Sequence, residues 1–155
     1  MRLKTSYSAR EVAALTGLTA RQLQSWDAAQ IFQPAIAPRR TTSGGFTERR
    51  YTPVDLIELL ALAGLRRQGF TPADLRLMMD TLRDCFRRRL SETLDDNGDL
   101  RLMTDGRRLF LRTRQGHFFD LLADPTQPLV TGDGIPLKPV TGRARAKRRK
   151  PAAKT

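Results

Sequence analysis

Residues Ser8 to Asp27 read SAREVAALTGLTARQLQSWD, and this stretch decides the fold because it spells two short helices joined by a tight turn. Ser8 is placed to cap the first helix, with Glu11 three residues on to close a capping box, and Val12 and Leu15 then fall on one face. Thr16-Gly17-Leu18 interrupts the period. Gly17 is expected to take the left-handed conformation that reverses the chain, and Leu18 to plug the elbow. Thr19 with Gln22 makes a second box, so a second helix starts there. On it Leu23 and Trp26 share a face and are expected to pack against Val12 and Leu15. Arg21, Ser25 and Ala28 then point away, with Gln22 and Gln24 on the flanks. An outward face of long donors and small residues suits a DNA major groove, so a helix-turn-helix competes here with an ordinary hairpin of a small all-α domain.

Composition narrows the choice. A chain of 155 residues holds one full domain and little more. Its net charge of +12 sits at the two ends: residues 1–51 hold eight Lys/Arg against three acids, and residues 136–155 hold eight bases and no acid. The middle is near balance. That distribution points to a polyanion, nucleic acid before anionic membrane, because the basic tail has no amphipathic apolar face. A single cysteine, Cys85, and a single histidine, His117, support neither an internal disulfide nor a zinc site, and no cofactor is expected. No apolar run approaches transmembrane length and MRLKTSYSAR lacks a signal-type apolar region, so a soluble cytoplasmic protein is expected.

Beyond the second helix, Pro34 and Pro38 forbid helix continuation. The stretch RRTTSGGFTERRY, Arg39 to Tyr51, places two Arg pairs around Ser43-Gly44-Gly45 and reads as a short hairpin, a wing beside the second helix whose guanidiniums suit phosphate oxygens. Thr52-Pro53-Val54-Asp55 and Thr71-Pro72-Ala73-Asp74 repeat one helix-start grammar, a capping Thr followed by Pro at the first helical position. The first opens an apolar helix central to the core that stops at Gly69. The second is expected to run from Pro72 towards Leu94, with Leu75, Met79, Leu82, Phe86 and Leu90 forming a short seam that joins two copies. Around Asp105-Gly106 the segments 100–103 and 108–112 alternate as a hairpin, while 116–122 reads equally as strand or short helix. Phe110, Phe118 and Phe119 are expected to be plain core rather than a ligand pocket. From Pro125 onward prolines and glycines break every period, which predicts a disordered basic tail.

The order of parts resembles the DNA-binding domain of MerR-type bacterial transcription regulators from about Tyr7 to Leu82. The motifs that carry it are Tyr7-Ser8-Ala9-Arg10-Glu11-Val12-Ala13, Gly17 through Asp27, the exit Ile31-Phe32-Gln33-Pro34, Arg49-Arg50-Tyr51, and Leu65-Arg66-Arg67-Gln68-Gly69-Phe70-Thr71. The resemblance implies winged-helix dimers joined by an antiparallel coiled coil, many of which distort promoters with an overlong spacer. It implies Arg21, Gln22 and Gln24 at the major groove, Arg39, Arg40 and Arg49 on the wing, and Tyr51 near a phosphate. With Ser8, Arg10, Thr19 and Ser25 these make the expected DNA-binding set. The chain departs from the pattern at Gln24, at Ser25-Trp26 in place of an aromatic pair, and at Gln30 in place of Gly. It also lacks the several cysteines of the metal-sensing branch.

The expected fold is therefore mainly α: a winged helix-turn-helix (1–70), a C-terminal dimerisation helix region (71–96), a small β-hairpin extension (97–125) and a disordered basic tail (126–155). The expected function is a homodimeric, sequence-specific regulator in the bacterial nucleoid. Its partners would be double-stranded DNA and, at the promoter, RNA polymerase; no effector is assigned. The alternative is an architectural or adaptor protein that holds DNA by charge and a protein partner through 97–125. No nucleophile–base pair, phosphate loop or metal cluster points to an enzyme.

Overall fold

In the computed structural model, residues 4–36, 39–40, 47–129 and 136–143 are described. Four helices form, α1 (Ala9–Thr16), α2 (Ala20–Ala28), α3 (Pro53–Gln68) and α4 (Pro72–Cys85). Each begins the same way: the Ser8, Thr19, Thr52 and Thr71 side chains accept a hydrogen bond from the third helical N–H, and the Glu11, Gln22, Asp55 and Asp74 side chains in turn accept one from the cap residue's own N–H. Each cap is worth about 1 kcal/mol against Ala. Gly17 (φ 78°) ends α1 and Gly69 (φ 111°) ends α3, both left-handed, where a side chain would be strained. α2 ends with Gln30 held at φ 59°, the position at which the family pattern carries Gly.

Short ladders bracket the first two helices. β1 (Tyr7–Ser8) pairs antiparallel with β4 (Arg50–Tyr51), and β2 (Arg39–Arg40) with β3 (Thr47–Glu48), Arg39 opposite Glu48. The Ser43-Gly44-Gly45 turn expected between β2 and β3 lies outside the described residues. Leu15, expected to face the core with Val12, is 47% exposed. Thr16 turns inward in its place: its hydroxyl donates to the Val12 carbonyl (2.7 Å) and accepts from the Leu18 N–H (3.1 Å), so the elbow is closed by hydrogen bonds as well as by Leu18.

The second half corrects the mainly α expectation. A five-stranded antiparallel sheet forms from β5 (Leu100–Thr104), β6 (Leu109–Thr113), β7 (Phe118–Asp120), β8 (Asp124–Leu129) and β9 (Lys138–Pro139), in the order β8-β7-β6-β5-β9. The fold is α+β. The hairpin at Asp105-Gly106 forms with Thr104 opposite Leu109, and the undecided 118–120 segment is a strand, Leu111 opposite Phe119. The prolines of β8 and β9 are tolerated because both strands are edges, where a missing N–H breaks no ladder on the outer side. The helix expected to reach Leu94 stops at Cys85, because Arg87 adopts φ 56°; Leu90–Thr93 then makes a 3-10 turn.

The same sheet covers the stripe read as a dimer seam. Leu75, Leu82 and Leu90 are each no more than 1% exposed within one chain, and Met79 and Phe86 pack partly buried against that core. Phe86 meets Phe119 edge-to-face at 5.3 Å, and the Thr81 hydroxyl reaches the Leu121 carbonyl (3.4 Å). Leu75, Leu82 and Leu90 are thus enclosed by their own chain, while Met79 and Phe86 keep part of their surface.

Disorder was expected from 126 onward, yet 126–129 and 136–143 belong to the fold; the rest of the basic tail, 144–155, lies outside the described residues. The Val140 N–H donates to Leu102 (3.0 Å), and the buried Arg101 guanidinium donates to the carbonyls of Val140 (2.6 Å) and Thr93 (3.1 Å) and pairs with Asp96 (3.0 Å). Next along the chain, Gly142 presses on α3: a Cβ there would collide with Ile57 Cγ2 and lie 2.7 Å from the Ile57 carbonyl oxygen. Residues 138–143 thus strap the sheet to α3.

Candidate nucleic-acid interface

Burial of Leu23 and Trp26 against Val12 fixes the rotation of α2 and leaves Arg21, Gln24, Ser25 and Ala28 exposed on its outer side. Arg10 is exposed on α1. Arg21 supplies five donors, and Gln24 can both donate and accept, the combination that reads a purine edge. Ser25 and Ala28 add no bulk that would hold the helix away from a groove.

The capping residues have a different status. Ser8 and Thr19 spend their hydroxyls on the N–H groups of Glu11 and Gln22 (3.2 and 3.0 Å). The Gln22 side-chain carbonyl accepts from the Thr19 N–H (2.9 Å), so only its amide donor remains to reach outward. Together these residues set the N-terminal end of α2, the end that carries Arg21, and the positive helix terminus there favours an anion.

Arg49 donates to Asp27 on α2 (3.0 Å), which ties the segment after β3 to the flank of the exposed helix. Arg50 donates to Ser6 (2.7 Å). Arg39 and Arg40 are backbone-paired in β2, and their side chains lie outside the described residues. Tyr51, expected beside a phosphate, is 1% exposed, and its hydroxyl has no hydrogen-bond partner among the described residues. Burial pushes its pKa above the ordinary 10.0; Arg49 opposes the shift, and Asp27 and Asp55 add to it. In this state of the chain the ring belongs to the core and offers no oxygen to solvent.

Beneath this surface lies a polar cluster that sequence reasoning missed. Asp55 and Glu58 on α3 are 0% and 2% exposed. Asp55 accepts from the N–H groups of Thr52 (2.9 Å) and Ala35 (3.1 Å), holding the chain that leaves α2. Glu58 accepts from Arg89 (2.6 Å) and from the Ser91 N–H (2.9 Å), and Arg89 also stands 3.6 Å from Asp55. The hydrogen bond to Glu58 outweighs desolvation and keeps Arg89 firmly protonated. Two acids three residues apart inside an otherwise apolar helix were the available signal, since such a pair must find a cation or backbone donors once buried. Arg67 adds a further tie, donating to the Thr16 carbonyl at the elbow (3.2 Å).

Among the described residues no group of three or more His, Cys, Asp or Glu could hold a metal ion, and no helix is long and apolar enough to cross a membrane. Residues 7–82 match the model of a family described as MerR HTH family regulatory protein. No curated protein matches the chain.

Proposed function

Residues 7–82 form a MerR-type helix-turn-helix domain, the kind that serves DNA-binding transcription regulators, and from that premise we propose that this chain binds specific operator sequences with α2 in the major groove. The observation that carries the reading is the exposed Arg21-Gln24-Ser25 face, set on a helix whose rotation is locked by Leu23 and Trp26. Arg21 and Gln24 contact base edges, Gln22 contributes its amide donor, and Arg10 with the capped helix starts at Ser8 and Thr19 approaches phosphates. Arg39, Arg40 and Arg49 grip the backbone on the flank, Arg49 while braced by Asp27.

One recognition helix covers only a few base pairs, so two copies occupy a two-fold symmetric operator, each placing one α2 in successive turns of the groove. Their contact lies on exposed faces, because the Leu75-Leu82-Leu90 stripe is spent inside each chain. RNA polymerase at the promoter is the natural further partner, and the bacterial cytoplasm the natural compartment. Selection of bound sequences from a random duplex pool tests the reading. A two-fold symmetric motif is expected. Recovery of no motif, with binding that falls steeply with salt on every sequence, would favour the architectural or adaptor alternative.

A further inference from the structure

A groove of about 220 Å³ opens where three parts of the chain meet: the exit of α2, the second turn of α3 at Glu58 with the middle and last turn of α4 at Met79 and Arg83, and the linker before the 3-10 turn. Its floor is apolar, with Ile31, Phe32 and Leu90 at 5%, 6% and 1% exposure. Its rim carries Arg83, Arg88 and Arg89, and a second hollow lined by Arg83 and Arg87–Arg89 continues from it. Gln30 and Arg87, the two non-glycine residues with left-handed backbone among the described residues, line the first and second hollow respectively. Strained backbone held at the walls of a cavity is a recurrent mark of binding sites.

The arginines differ in how firmly they are held. Arg89 is committed to two buried carboxylates. Among the described residues Arg83 pairs with Asp80 and Asp84, and Arg88 with Asp99 and, at 3.4 Å, the Arg87 carbonyl; these pairs are open to solvent on at least one side, so they contribute little and exchange readily for another anion. Those two guanidiniums are therefore available to a ligand, above a floor that water solvates poorly. The volume is below the range of roughly 300–1,000 Å³ typical of drug-sized ligands, which restricts the occupant to a small molecule.

We propose that this groove binds small carboxylic acids with an apolar body, the carboxylate between Arg83 and Arg88 and the body on Ile31, Phe32 and Leu90. The wall formed by Gln30–Gln33 leaves α2 directly, and Asp55, behind Arg89, holds the Ala35 N–H on the path towards β2. Occupancy therefore shifts the DNA affinity of the helix-turn-helix; this last step rests on the DNA-binding reading, whereas the binding itself does not.

The test uses the full-length, ¹⁵N-labelled protein without DNA, titrated with benzoate and with hexanoate, and with benzamide as the uncharged control. Saturable amide shifts confined to Gln30–Gln33, Met79–Arg83 and Arg87–Leu90 are expected for the acids and not for benzamide. Arg83→Gln with Arg88→Gln, which removes solvent-accessible ion pairs and one long bond to the Arg87 carbonyl, is expected to keep the fold, read by circular dichroism, and to weaken acid binding about tenfold or more. Absence of saturable shifts with both acids, equal shifts with benzamide, or unchanged affinity in the double variant would overturn the site. Acid binding that leaves the affinity for a selected operator unchanged would overturn the coupling alone.

Discussion

Arg101 is 4% exposed and stands in β5, where alternation assigns a polar residue to the solvent side; the strap is what encloses it. Arg101→Met keeps much of the side-chain volume and removes the donors. The carbonyls of Val140 and Thr93 then lose bonds of 2.6 and 3.1 Å from a charged donor and stay buried. Two such orphaned acceptors cost about 1–3 kcal/mol each, and part of that is returned because a guanidinium is no longer held out of water. The net expectation is a loss of about 2–4 kcal/mol. With a urea m-value of about 1.5 kcal/mol/M the unfolding midpoint falls by about 1.3–2.7 M. Asp96 carries 82% of its side-chain surface exposed, so Asp96→Asn is the control and changes stability by less than about 1 kcal/mol. The assay is urea unfolding by circular dichroism, with hydrogen exchange of the Val140 amide as the local readout. An Arg101→Met protein within about 0.5 kcal/mol of wild type, with Val140 still protected, would refute the reasoning, as would an equal loss in Asp96→Asn.

Arg21→Ala is expected to cost about 1–3 kcal/mol on a selected operator and to relax preference at one base step; a fluorescence-anisotropy titration showing equal loss on random DNA would assign Arg21 to phosphate alone. Gly142→Ala forces a methyl group against Ile57 and is expected to destabilise by about 1–3 kcal/mol, read by thermal unfolding, with Ile57→Ala in the same chain restoring part of the loss. Tyr51→Phe deletes a buried hydroxyl without a partner and is expected to hold or raise stability by up to about 1 kcal/mol at neutral pH. The pH dependence follows from the raised pKa: the unfolded tyrosine ionises first, so wild-type stability falls as pH climbs above 10.0 until the folded group also ionises, and unfolding curves of Tyr51→Phe lack that component. Leu82→Asp is expected to unfold the chain, since Leu82 is 1% exposed inside the core; a folded monomer would show that α4 lies elsewhere.

The helix-turn-helix was legible because its signals are local. A cap, a box partner three residues on and a glycine at the reversal fix φ, ψ and hydrogen bonding within a single turn, and Ser8, Thr19, Gly17 and Gly69 all do what their chemistry dictates. Helical period alone places Leu15 on the core face and does not reveal that Thr16 can bury its hydroxyl by bonding Val12 and Leu18. The stripe on α4 is apolar as its period requires, but periodicity shows that a face must be covered and not by what. Its cover is a sheet completed by residues that local grammar discards: Pro-rich β8, and a two-residue β9 that exists only through Val140, Arg101 and the fit of Gly142 on Ile57. Arg89 against Glu58 and Asp55 was illegible for the same reason, the partners lying 31 residues apart in one pair. Of the set expected to face DNA, exposure at Arg10, Arg21, Gln24 and Ser25 follows from helix phase, whereas burial of Tyr51 follows from packing that the motif does not encode.

Whether the outward face of α2 reads DNA is tested most directly by mapping amide shifts of the full-length protein on titration with a duplex carrying its selected sequence, against a scrambled duplex of equal length. The account predicts that Arg21–Ser25 shift strongly and saturably with the selected duplex and only weakly with the scrambled one. Equal responses to the two duplexes, or shifts centred on β5–β8 with α2 unmoved, would contradict it.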